Sequence, residues 1–184
     1  MNPVSRRSAE DTDLVLVERW KAGDSRAATE LVSRHADALA RFAMSAGERE
    51  EIEELVQDTF VRAFSSLEAF RGESSLRTWL FTIERRLMLD RRRAESRQRS
   101  LVPIENSEAA TKYDALDGMV AQETATQVKR AVRALSPMQR EVFTMRVEQG
   151  LSYKEIAAIL DTSEGAARVH YHNAIRSVKE FLDE

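Results

Sequence analysis

Residues 136–182, SPMQREVFTMRVEQGLSYKEIAAILDTSEGAARVHYHNAIRSVKEFL, carry two nested helix-start signals and then a short turn into a long last helix. Ser136 caps a predicted helix that has Pro137 at its first position and Gln139 three residues on. Ser152 and Glu155 repeat the arrangement, so amide hydrogens with no intrahelical acceptor are satisfied at both starts. Each cap is worth about 0.5–2 kcal/mol. Gly150 closes the first helix, while Ile156, Ala157 and Leu160 place an apolar stripe on the second before Asp161, Thr162 and Ser163 break it. A third helix is predicted from about Glu164. On it Ala167, Tyr171, Ala174, Val178 and Leu182 recur every three or four residues and face inward, which turns Arg168, Val169, His172, Asn173 and Arg176 outward. A short capped helix, a tight turn and a long helix in this order make a helix-turn-helix unit, with those five side chains as its candidate DNA readers.

Composition narrows what surrounds this unit. The chain has 184 residues, 42% apolar and 32% charged, a foldable and helix-friendly balance. It contains no cysteine, so disulfides, thiolate nucleophiles and cysteine-ligated metals are excluded. Its three histidines, at 35, 170 and 172, lack a zinc-binding arrangement, and no nucleophile or phosphate-loop pattern stands anywhere, so no metal, no cofactor and no catalytic residue are expected. No apolar run approaches bilayer length and MNPVSRRSAEDTD lacks the apolar stretch of a signal peptide, so a cytosolic protein without membrane insertion is expected.

The net charge of −3 is a sum of blocks of opposite sign. Residues 48–58 hold six acids and one arginine, whereas 77–99 hold eight arginines and three acids. Those two blocks must face different partners. Residues 128–184 hold nine Lys or Arg against eight acids, so the helix-turn-helix gains little from counterion release and should bind DNA weakly without another anchor.

The N-terminal half reads as four helices. The first starts at Thr12 or Asp13 and turns Leu14, Val17 and Trp20 to one side. The second follows Asp24 and carries Ala28, Leu31, Val32, His35, Leu39 and Phe42 inward, His35 being a semi-buried core histidine. The third buries Ile52, Leu55, Val56, Thr59, Phe60, Ala63, Phe64 and Leu67, leaving Glu50, Glu51, Glu53, Glu54 and Asp58 outward or in its first turn, where acid suits the helix dipole. Crowded carboxylates repel one another and call for a basic protein partner. In the fourth, Leu76, Trp79, Leu80, Ile83 and Leu87 form the buried side, and Arg77, Arg85, Arg86, Arg92 and Arg93 the rest. Arginines beside Phe70, Trp79 and Phe81 suit a single nucleic-acid strand, guanidinium against phosphate and ring against base. From 96 to 126 the helical period is lost and the composition turns acidic, which marks a flexible linker between an N-terminal domain over 10–95 and a C-terminal one over 127–184. The fold class expected is all-α, with two small helical domains.

In this order the blocks resemble the extracytoplasmic-function (ECF) sigma factors of the sigma-70 family of bacterial RNA polymerase. EEIEELVQDTFVRAF is similar to the family's polymerase-binding helix, FRGESSLRTWLFTIERRLMLDRRR to its minus-ten segment in sigma region 2, and the stretch from Leu135 to Ile175 to its minus-thirty-five reader in sigma region 4. The resemblance implies that Glu51, Glu53, Glu54, Gln57 and Asp58 grip the clamp coiled coil of the polymerase largest subunit. It further implies that Phe70, Arg71, Ser74, Arg77, Trp79, Arg85 and Arg86 capture a flipped base and the minus-ten strand, and that Arg168, Val169, His172, Asn173 and Arg176 enter the major groove. Its implied partners are core RNA polymerase, including the flap, promoter DNA and an anti-sigma factor. The chain departs from the pattern at Arg86, where many relatives have Asn, at Val169, Asn173 and Ile175 in a helix commonly rich in arginine, and at Glu51 and Glu54, where Asp is usual. Two other readings fit the same residues: a helix-turn-helix transcriptional regulator acting without polymerase, and a sigma-like decoy or interaction protein.

Overall fold

The computed structural model describes residues 3–48, 51–99 and 121–183. Among them are eight α-helices, one 3₁₀ turn and no strand. The N-terminal domain consists of α1 (Pro3–Lys21), α2 (Ser25–Ala46), α3 (Ile52–Ser65), the turn at Leu67–Ala69, and α4 (Leu76–Arg99). The C-terminal domain consists of α5 (Ala121–Ala134), α6 (Pro137–Val147), α7 (Tyr153–Leu160) and α8 (Glu164–Leu182).

Local chemistry sets most boundaries. The Asp24 carboxylate accepts from the Arg26 amide at 3.0 Å and starts α2. Gly47, at φ 101°, ends it, with its amide on the Met44 carbonyl and that of Glu48 on the Ala43 carbonyl. At α7 the predicted capping box is complete: the Glu155 amide donates to Ser152 Oγ at 3.3 Å, and the Ser152 amide donates back to Glu155 Oε2 at 2.7 Å. At α6 the Ser136 amide donates to Gln139 Oε1 at 3.2 Å.

Helix extends past two predicted limits. α1 begins at Pro3 and not at Thr12 or Asp13. Among its residues from Thr12 onward Asp13, Leu16 and Val17 are buried and Leu14 is exposed, because α2 draws Asp13 inward: His35 Nε2 lies 2.9 Å from Asp13 Oδ2 and Arg34 Nη1 donates to Oδ1 at 3.2 Å. His35 is thus buried and paired, as its place in the sequence suggests. α4 runs to Arg99 and α5 starts at Ala121, so both ends of the 96–126 segment are helical, and residues 100–120 lie outside the described residues. Good helix formers (Ala94, Glu95, Arg97) carry α4 onward. Ala131 and Leu135 hold the C-terminal end of α5 in a cluster with Phe143, Ala174 and Val178.

The two domains touch. A single apolar cluster runs from Leu31, Leu39 and Phe42 of α2 and Phe81 of α4 to Val142, Met145, Leu151 and Ile156 of the C-terminal half. Elements α4 and α7 pack together, as do α2 and α6. α4 packs against α2, α3 and α7, and besides the expected Leu76, Leu80 and Ile83 it also hides Phe81, Glu84 and Met88.

Candidate functional site

The acidic surface begins at Glu51, which precedes α3 in a left-handed conformation (φ 54°). Burial of Leu55, Val56, Thr59, Phe60 and Ala63 on the opposite side forces Glu51, Glu53, Glu54 and Gln57 into solvent, with Asp58 half-buried. An arginine absent from the sequence-based site organises part of this face. Arg91 of α4 lies 3.0 Å from Asp58, 3.6 Å from Glu54 and 3.7 Å from Glu51. Glu53 and Gln57 point elsewhere and are the parts of the face that this guanidinium leaves uncovered.

Along the start of α4 the predicted strand-binding residues divide into two groups. Arg71, Ser74 and Arg86 are exposed. Phe70 is buried and its ring lies 5.2 Å from that of the half-buried Trp79, while Phe81 is fully buried against Phe42, also at 5.2 Å. Phe70 and Phe81 are therefore core residues here, not open stacking platforms, and Trp79 presents only part of its surface. Arg77 and Arg85 point into the C-terminal domain: Arg77 Nη2 donates to Gln149 Oε1 at 2.5 Å, and Arg85 Nε to Glu141 Oε2 at 3.0 Å.

The third surface is the helix-turn-helix. Asp161, at φ 52°, ends α7, and Ser163 Oγ accepts from the Ala166 amide at 3.1 Å to start α8 three residues later. Ala167, Ala174 and Val178 bury one side of α8, so Arg168, Val169, His172 and Arg176 stand exposed and Asn173 half-buried on the other. Tyr171 is half-buried and Leu182 is 38% exposed, so the inward stripe fades toward the helix end. One further organiser is Tyr153. The guanidinium carbons of Arg168 and Arg146 lie 5.1 and 4.9 Å from its ring centroid, which holds Arg168 by cation–π attraction. Arg146 is itself tied down, donating to the Leu151 carbonyl at 2.8 Å.

One buried carboxyl of α4 has no partner. Glu84 is fully buried and neither carboxylate oxygen has a hydrogen-bond partner. Burial first, then the neighbouring Glu48, pushes its pKa up to about 9, so the side chain is neutral at physiological pH. Glu48 is itself held by Arg92 at 2.8 Å. No group of three or more His, Cys, Asp or Glu able to hold a metal ion occurs among the described residues, and no described helix is long and apolar enough to cross a membrane.

Comparison with known proteins agrees with this layout. The sigma-70 region 2 family matches residues 31–98 and the sigma-70 region 4 family residues 125–178. The ECF RNA polymerase sigma-E factor of Escherichia coli strain K12 is 31% identical over 176 residues, 91% of this chain and 92% of the relative. That of Haemophilus influenzae is 32% identical over 166 residues, 85% and 88% of the two chains. Among solved structures, CnrH in complex with the cytosolic domain of CnrY gives a TM-score of 0.68 at 28% identity, covering 93% of this chain and 97% of the other. The sigma factor RpoE of Bartonella quintana, in complex with the anti-sigma factor NepR, gives 0.66 at 29% identity, covering 84% and 96%. Both halves match, in order, which disfavours a helix-turn-helix regulator working alone. With an N-terminal region 2, a C-terminal region 4 and whole-length relatives of one kind, this chain belongs to the ECF branch of the sigma-70 family of RNA polymerase sigma factors.

Proposed function

We propose that the acidic face of α3 docks this sigma factor on a basic surface of core RNA polymerase, the clamp coiled coil of its largest subunit. The docked factor then reads promoter DNA through α4 and α8. The observation that carries the assignment is the uncovered pair Glu53 and Gln57 beside the Arg91-held cluster of Glu51, Glu54 and Asp58: a rigid helix face offering carboxylates to an external cation. Arg71, Ser74, Arg77, Trp79, Arg85 and Arg86 serve the minus-ten strand. Arg168, Val169, His172, Asn173 and Arg176 serve the minus-thirty-five groove, with further contact to the polymerase flap. The factor contributes specificity and no catalytic group, works in the cytoplasm, and is held in check by an anti-sigma protein, the kind of partner with which the Bartonella quintana neighbour was solved.

Glu53→Lys combined with Glu54→Lys should abolish co-purification with core polymerase while far-UV circular dichroism stays unchanged. Retained binding would remove the docking assignment. Arg168→Ala with His172→Ala should lower transcription from promoters that depend on the upstream element, and equal activity would refute the choice of recognition face.

A further inference from the structure

Val169, at 58% exposure, is the most open large apolar side chain among the described residues of the C-terminal domain, and it stands on the outward face of α8. It has no polar atom. Set against a donor or acceptor of a base edge, it would strip water from that group and return no hydrogen bond. The major groove displays one apolar group, the C5-methyl of thymine. A valine carried to that depth therefore favours a thymine.

The first turn of α8 permits the close approach that so short a side chain needs. Gly165 and Ala166 precede Val169 by four and three residues and share its side of the helix. A Cβ placed on Gly165 would meet only Ser163 Oγ within 4 Å, at 3.9 Å, so no bulk stands between this turn and a groove. Arg168, the neighbour long enough to cover Val169, lies instead over the Tyr153 ring of α7, its guanidinium carbon 5.1 Å from the centroid.

Asn173 follows Val169 by one helical turn and is half-buried. Its amide offers a donor and an acceptor side by side, the pair that matches adenine N7 and N6 in the major groove, whereas an arginine there would match guanine O6 and N7. Four residues advance the helix about 6 Å, less than two base steps of about 3.4 Å each. The two side chains thus reach pairs one or two steps apart when α8 lies along the groove.

We propose that Val169 and Asn173 make the upstream reader selective for A·T pairs, Val169 packing on a thymine methyl and Asn173 holding an adenine one or two steps away. The inference rests on the proposed role of α8 in the minus-thirty-five groove and names the bases which that role selects.

Transcription by the full-length factor with core polymerase, on a promoter library randomised across the upstream element, supplies the preferred sequence. Thymine and adenine should be enriched at two positions one or two steps apart. In the enriched promoter, deoxyuridine in place of that thymine removes the methyl alone and should lower holoenzyme affinity about fourfold, the worth of one buried methyl. At the same position 5-methylcytosine should bind better than cytosine by a similar factor. Val169→Ala should respond little to either exchange, and Asn173→Arg should move the preference at its own position from adenine to guanine by about tenfold. Indifference of the parent factor to deoxyuridine at every enriched thymine would overturn the methyl contact. Enrichment of G·C at both positions, or an unaltered preference in Asn173→Arg, would overturn the A·T assignment while leaving α8 as a reader. A library that initiates from the downstream element with no enrichment upstream would overturn the role of α8 itself, and the base assignment with it.

Discussion

Replacing Glu84 by methionine should stabilise the free protein by an amount that grows with pH. The folded-state pKa of about 9 lies above the ordinary glutamate value of 4.5, so the unfolded chain releases this proton long before the folded one does. Below about pH 4.5 the carboxyl is neutral in both states and costs nothing through ionisation; from there stability is lost as pH rises, until the folded-state pKa is passed. At pH 7 the gap is about 2.5 units, and at about 1.4 kcal/mol per unit the penalty is about 3 kcal/mol. Methionine has a similar length and no charge, and it leaves no bare oxygens on α4. Urea unfolding of the two proteins followed by circular dichroism at pH 5, 7 and 8.5 supplies the test. Methionine should be ahead by about 1 kcal/mol at pH 5 and by about 3 kcal/mol at pH 7, with an equal urea slope. Glu84→Gln should flatten the pH dependence in the same way but gain less, because its amide stays buried and unpaired. An advantage that is constant across pH, or a loss for methionine at pH 7, would refute the idea of a neutral carboxyl buried at ionisation cost.

Arg91→Ala should cost about 0.5–1 kcal/mol, since one exposed cluster loses its counter-charge, and the deficit in urea unfolding should shrink at 1 M salt. Tyr153→Leu should reduce transcription from upstream-element promoters several-fold by releasing Arg168, with Tyr153→Phe close to the parent; equal loss in both would shift the effect from the ring face to the hydroxyl. Gly150→Ala should lower stability by about 1 kcal/mol, because the backbone there sits at φ +63° while open space awaits the new methyl, and calorimetry would separate that backbone cost from packing.

Features that depend on neighbours in sequence were readable before the structure was. The capping box of Ser152 and Glu155 and the turn at Asp161–Ser163 involve residues three or four apart, and each is where the sequence places it. The outward set on α8 follows from the spacing of Ala167, Ala174 and Val178 in the same way. What escaped was decided by packing between distant segments. Leu14 has the periodicity of a core residue, yet Asp13 takes the inward position because His35 and Arg34 await it on α2. Arg91 joins the acidic site only because α4 crosses α3, 33 residues away from Asp58. Phe81 is buried because Phe42 of α2 meets it, and Arg85 and Thr78 reach Glu141 and Glu155 of the C-terminal half, contacts that no local pattern announces.

The guanidinium shared among Asp58, Glu54 and Glu51 bears on selectivity. A passing lysine finds three of these acids already engaged and gains little from displacing a cation that the fold holds in place at no translational cost. Only a surface that meets Glu53 and Gln57 as well, matching the helix over several turns, offers more than Arg91 already supplies. The tethered arginine thus sets a threshold that screens out casual basic partners, and discrimination falls to shape rather than to the sheer amount of charge.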